Sequence, residues 1–159
     1  MTHGNAGTFD LNLPLTGTPA IECRRGGVNG NYSVLLSFTM DVTNCGTVAT
    51  AGGSVVAGPN SNQCTVNLTG VPNGHTITVE LDNVTDAFGA IGNVSVLMGV
   101  LVGDTNADRF VDSIDTAQTK SQAGKPVSTT NFREDVNVDG FIDAIDVSLV
   151  KSKSGTVLN

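Results

Sequence analysis

Along residues 1–102, apolar and polar side chains alternate in short runs with a period of two. Thr8–Leu13 places Phe9, Leu11 and Leu13 on one face, and Asn31–Met40 does the same with Tyr32, Val34, Leu36, Phe38 and Met40. Gln63–Thr69 turns Cys64, Val66 and Leu68 inward, and His75–Leu81 turns in Ile77, Val79 and Leu81. Asn93–Val102 ends the series as a largely apolar strand. This period marks half-buried β-strands. Between the runs lie Gly26-Gly27, Asn29-Gly30, Gly52-Gly53, Gly58-Pro59-Asn60 and Pro72-Asn73-Gly74, all turn chemistry. Short alternating strands at this spacing predict a β-sandwich, immunoglobulin-like in architecture.

After Val102 the pattern changes. Two stretches, Ser113–Ala123 and Ala144–Lys153, read as short helices, and each runs into a glycine, Gly124 or Gly155. Each follows a twelve-residue acidic segment, Asp104–Asp115 and Asp135–Asp146. Over Asp104–Gly124 against Asp135–Gly155, offset by 31 residues, ten positions are identical, which marks an internal duplication. No Pro/Ser/Thr-rich linker precedes Gly103-Asp104, so the second unit is expected to be fixed rigidly on the first. The chain is therefore divided into a sandwich, 1–102, and a loop–helix module, 103–159; the class is mainly β with a small α part.

Both acidic segments carry side-chain oxygens at positions 1, 3, 5, 9 and 12. That is the spacing by which an EF-hand-type loop encloses calcium, with position 7 giving its backbone carbonyl. Loop one would use Asp104, Asn106, Asp108, the Phe110 carbonyl, Asp112 and Asp115; loop two Asp135, Asn137, Asp139, the Phe141 carbonyl, Asp143 and Asp146. Two calcium ions are expected. Loop one departs from the pattern at position 6, where Arg109 replaces the glycine of the sharp turn.

The charge follows from these sites. Of nine acidic residues in 103–159, eight are loop aspartates, and two calcium ions would take the formal charge from −7 to −3. No basic patch suggests nucleic acid, and no stretch is long and apolar enough to enter a membrane. Cys23, Cys45 and Cys64 are an odd set; one disulfide is expected, its pairing open, with buried free thiols the other reading. For catalysis, His3 reads as part of a mobile terminus and His75 as a strand-start surface residue. With no nucleophile elbow and no carboxylate pair outside the loops, no enzyme is expected. A Gly-, Thr-, Val-, Asn- and Ser-rich body poor in Lys and Glu suggests an extracellular or cell-surface piece of a larger secreted precursor.

The duplicated loop–helix pattern, with Asp at position 12 and no entering helix, resembles the type I dockerin module over residues 103–157. The preceding segments Thr8–Leu15, Ile21–Arg24 and Val66–Val71 resemble a β-sandwich that precedes dockerin-like ends in large secreted proteins of environmental bacteria. The resemblance implies calcium-dependent docking on a cohesin-like receptor through positions 10 and 11, here Ser113-Ile114 and Ala144-Ile145. Only one hydroxyl survives among the four, a departure from the dockerin pattern. The rigid junction, this departure and a detachable N-terminal strand favour as the main expectation a non-catalytic subunit of an extracellular fibre or surface layer, built head to tail from copies of the chain, with the cohesin-docking adaptor as the alternative. In such a fibre, Phe9, Leu11 and Leu13 would leave on a 1–19 segment hinged at Pro14, Gly17 and Pro19 to complete a neighbour's sheet. The plainer expectation for that segment is the first strand of the chain's own sandwich.

Overall fold

The computed structural model describes residues 1–27 and 29–159. In chain order the strands are β1 (Thr2–His3), β2 (Gly7–Thr8), β3 (Ala20–Glu22), β4 (Tyr32–Ser37), β5 (Val42–Asn44), β6 (Thr47–Val48), β7 (Gly53–Ala57), β8 (Gln63–Leu68), β9 (His75–Asp86) and β10 (Ile91–Val100). The helices α1 (Ser113–Gln122) and α2 (Ala144–Lys153) follow. The main β character and both helices agree with the periodicity.

The strands form two principal sheets. One has the order β3-β10-β9-β5, with β6 also on β9; the other is β4-β8-β7. β9 is long enough to hold β5 and β6 end to end, with Val42 opposite Asp86 and Val48 opposite Leu81. The inward faces meet in one core: Tyr32, Val34 and Leu36 of β4 with Cys64, Val66 and Leu68 of β8, against Val79, Leu81 and Val84 of β9 and Val96, Met98 and Val100 of β10. Burying each such aliphatic chain stabilises the fold by about 1.5–3 kcal/mol before entropy is counted. The alternation in β4 fades at Ser37, so Phe38 is only half-buried and Met40 is exposed. Cys45, between β5 and β6, is bonded to Cys64 of β8 and staples the two sheets together. Cys23 is left as a buried free thiol.

A second apolar cluster lies at the junction. Ile21 from β3, Leu101 and Val102 just past the end of β10, and Val111, Val136, Val150 and Leu158 from the helical part pack together, with Leu149 at the edge. The backbone follows suit: Leu101 N donates to Glu22 O, Gly103 N to Cys23 O, and Arg25 N to Val136 O. The last residue returns to the turn before β9, where Asn159 N donates to Gly74 O and Thr76 N to Asn159 O.

The N-terminal segment is neither a strand of the sandwich nor a free arm. β1 and β2 pair only with each other, and Phe9–Pro19 carries no strand. Its backbone is claimed by other partners: Phe9 O accepts from Arg24 Nη1 at 2.7 Å and from the terminal amine at 2.8 Å. Leu13 and Met1 rest against the edge of the main core. The expectation that Phe9–Leu13 forms the first strand of the chain's own sandwich is thereby corrected. So is the reading of His3 as mobile, since its side chain is fully buried.

Candidate metal centres

Each acidic loop is shaped by its own carboxylates, and the shaping repeats position by position. In loop one, Asp104 Oδ1 accepts from Asp108 N at 3.1 Å and Oδ2 from Arg109 N at 3.0 Å. In loop two, Asp135 Oδ1 accepts from Asp139 N at 3.2 Å and Oδ2 from Gly140 N at 2.9 Å. Asn106 and Asn137 each take a further bond from position 5, and Asp108 and Asp139 each take one from the Phe at position 7, all at 2.9 Å.

Position 12 closes each loop and starts its helix. Asp115 Oδ1 accepts from Thr105 N and Asn106 N, and its Oδ2 from Asp112 N. Asp146 does the same with Asn137 N and Asp143 N. Asp112 and Asp143 are the N-caps, and with Asp115 and Asp146 at N3 they form reciprocal capping boxes. Asp is long enough here because the helix follows without a gap. The segment after each helix then clasps the opposite loop. Gly155 N donates to Val111 O and Gly124 N to Ile142 O, and bridges join Phe110 to Val157 and Phe141 to Pro126.

Asp104, Asp115, Asp135 and Asp146 are fully buried. Among the described residues, Asp104, Asp115 and Asp146 have no cationic side-chain partner; Asp135 faces the His3 ring, and the ion pairs are Met1–Asp10 and Arg24–Glu22. Burial pushes the Asp104 and Asp146 carboxyls above the usual carboxylate range. Enclosing carboxylates without a counter-charge is unfavourable. A hard divalent cation with oxygen ligands is what such a set accommodates. No three His, Cys, Asp or Glu side chains converge into a ready metal cluster among the described residues. A site built on this spacing therefore relies on the Asn and backbone carbonyls as well as on the acids.

At position 6, Arg109 adopts φ +79°, matching φ +94° at Gly140. A side chain in that left-handed conformation costs about 1–2 kcal/mol, which the free loop can avoid and the wrapped loop cannot. Arg109→Gly is therefore expected to strengthen calcium binding at loop one by about 1 kcal/mol, while loop two is unchanged. The backbone amide of residue 109, followed by NMR through a calcium titration, reads the first loop, and that of Gly140 reads the second. Ala107 and Val138 at position 4 are also left-handed, at φ +64° and +58°, a demand of the loop that its spacing did not reveal.

The partner residues divide into two groups. Ile114 and Ile145 are exposed at 58% and 59%, with Ser113 and Ala144 exposed beside them on the first turns of α1 and α2. Phe9 is stacked on Phe132 at 5.9 Å, while Leu11 and Leu13 line a groove beside β4.

The fold and loops together define a duplicated acidic loop–helix module seated on two β-sheets. A family model for the dockerin type I domain matches residues 102–153, spanning both loops and both helices, so this third of the chain is similar to a type I dockerin module. No curated protein and no solved structure matches the chain.

Proposed function

We propose that the chain is a non-catalytic, secreted docking unit. An immunoglobulin-like sandwich, 1–102, carries a dockerin module, 103–159, that binds two calcium ions through the loop residues named above and docks on a cohesin-like receptor. The observation that carries this is the dockerin match over both loop–helix units. The parallel pairing of β3 with the last strand, β10, supports the immunoglobulin-like reading of the sandwich. The docking face comprises Ser113, Ile114, Thr116, Ala117 and Lys120 of α1 with Ala144, Ile145, Val147, Ser148 and Lys151 of α2. Ile114 and Ile145 are large apolar side chains left largely in solvent, as an interface anchor requires. Head-to-tail assembly through strand donation is the weaker reading, because the segment holding Phe9, Leu11 and Leu13 is tied to its own chain. Neither histidine is placed for general base work: His3 is buried between Asp135 and Arg24, and His75 is exposed with its ring bonded to Asn73 O.

The test uses the immobilised chain and a panel of purified type I cohesin modules in about millimolar calcium, the range of extracellular calcium modules. Binding is expected with calcium, lost with EDTA and lost in the double substitution Ile114→Asp/Ile145→Asp. Failure of every cohesin, with calcium-dependent oligomers in light scattering, would reverse the order of the two readings.

A further inference from the structure

Loop two is held from behind by residues far outside the module. His3 Nδ1 lies 2.8 Å from Asp135 Oδ2, and both side chains are fully buried. The other ring nitrogen, Nε2, lies 2.9 Å from Arg24 Nη1. Arg24 is always a donor, so it takes Nε2 as an acceptor and leaves the ring proton on Nδ1, aimed at Asp135. Arg24 is itself fixed by a fork onto Glu22, with Nε to Oε1 at 2.7 Å and Nη2 to Oε2 at 2.6 Å. The chain of contacts runs Glu22, Arg24, His3, Asp135, and every member is buried. Phe132 closes it, with the Arg24 guanidinium 4.9 Å above its ring and His3 edge-on to both Phe9 and Phe132.

The backbone is fitted to the same contact. Gly4 N donates to Val138 O at 3.1 Å. Gly4 has φ +46°, and a Cβ there would run into the Asp139 carbonyl. Loop one has no counterpart among the described residues, where no side chain outside the loop hydrogen-bonds the Asp104 carboxylate; Arg133 Nη2 instead binds its backbone carbonyl at 2.8 Å.

We infer that His3 is a positioning residue for the calcium site of loop two, and that seating of residues 1–9 and calcium binding at that loop are linked. The inference rests on loop two binding calcium, as proposed above. Groups that orient a metal ligand from outside typically change affinity about 10–100-fold, and linkage makes the effect mutual.

The experiment follows the Gly140 and Arg109 amides of the full chain through a buffered calcium titration by NMR. His3→Gln, which lacks a donor at the Nδ1 position, is expected to raise the Gly140 midpoint about tenfold and leave the Arg109 midpoint within about twofold. His3→Asn, whose amide can occupy the Nδ1 position, is expected to recover most of the loss. Gly4→Ala, with His3 intact, is expected to shift Gly140 in the same direction and carries the test if His3→Gln does not fold. In the unmodified chain, calcium is expected to slow hydrogen exchange at the Gly4 amide. An unchanged Gly140 midpoint in His3→Gln overturns the inference, as does an equal shift at both loops. Absence of any titration in the unmodified chain would instead remove the calcium reading on which it rests.

Discussion

Arg24→Met is expected to lower the stability of the calcium-loaded chain by about 3–5 kcal/mol. The guanidinium is 1% exposed and makes both prongs of the Glu22 fork, one bond to His3 and one to the Phe9 carbonyl. Removing it strands a carboxylate that is only 5% exposed and frees the strap at its two fixed points. The loss comes mainly from the uncompensated charge rather than from the missing packing, because Met fills much of the same space. Adding Glu22→Leu to Arg24→Met should therefore recover a large part of the loss. Thermal and urea denaturation of the three variants in calcium checks this. Equal stability of the single and double variants would place the cost in lost packing instead.

Calcium removal is expected to have the other large effect, unfolding the loop–helix module and exposing Cys23. The sign follows from the raised Asp104 and Asp146 carboxyls. A group whose folded pKa lies above its unfolded value favours the fold at low pH, and that contribution is lost as pH rises through the folded value. At neutral pH the metal-free loops are thus disfavoured by their own buried charges, and calcium supplies the missing counter-charge. Cys23 reports the outcome. Burial pushes its thiol up to about 12, and its Sγ lies 3.5 Å from the Arg133 carbonyl of the inter-loop segment. In calcium it should resist a thiol reagent. In EDTA it should react at the rate of an exposed thiol while helical circular dichroism falls. A Cys23 that stays protected in EDTA would show that apolar packing alone keeps the module in place.

The repeats and alternations that were readable are those in which one local rule dominates. Tyr32, Val34 and Leu36 alternate because β4 has one wet face, and the two acidic loops are legible because metal-loop spacing is local. The fully buried side chains of the junction tell a different story. Ile21 lies in a three-residue strand, and Leu101 and Val102 lie just past the end of β10, so no period marks which partner covers them. His3 was misread for a similar reason: a polar residue near a terminus carries no signal of a partner 132 positions away. The one local hint was Gly4, whose left-handed backbone and closeness to Asp139 require the absence of a side chain. Phe9, Leu11 and Leu13 do alternate, but Arg24 captures the carbonyl a ladder would need, and tertiary bonding overrides strand propensity. The Cys45–Cys64 pairing depended on which sheet each residue joins, which the chain's order does not disclose.

The junction also has a mechanical side. β3 and the end of β10 run parallel, with Ala20 beside Met98 and Glu22 beside Val100, and their bonds continue past the sheet through Leu101 and Gly103. A receptor pulling on the helical module along the strand direction would load these bonds together, in shear, rather than peel them one after another. A tether built this way resists force better than its small number of bonds suggests.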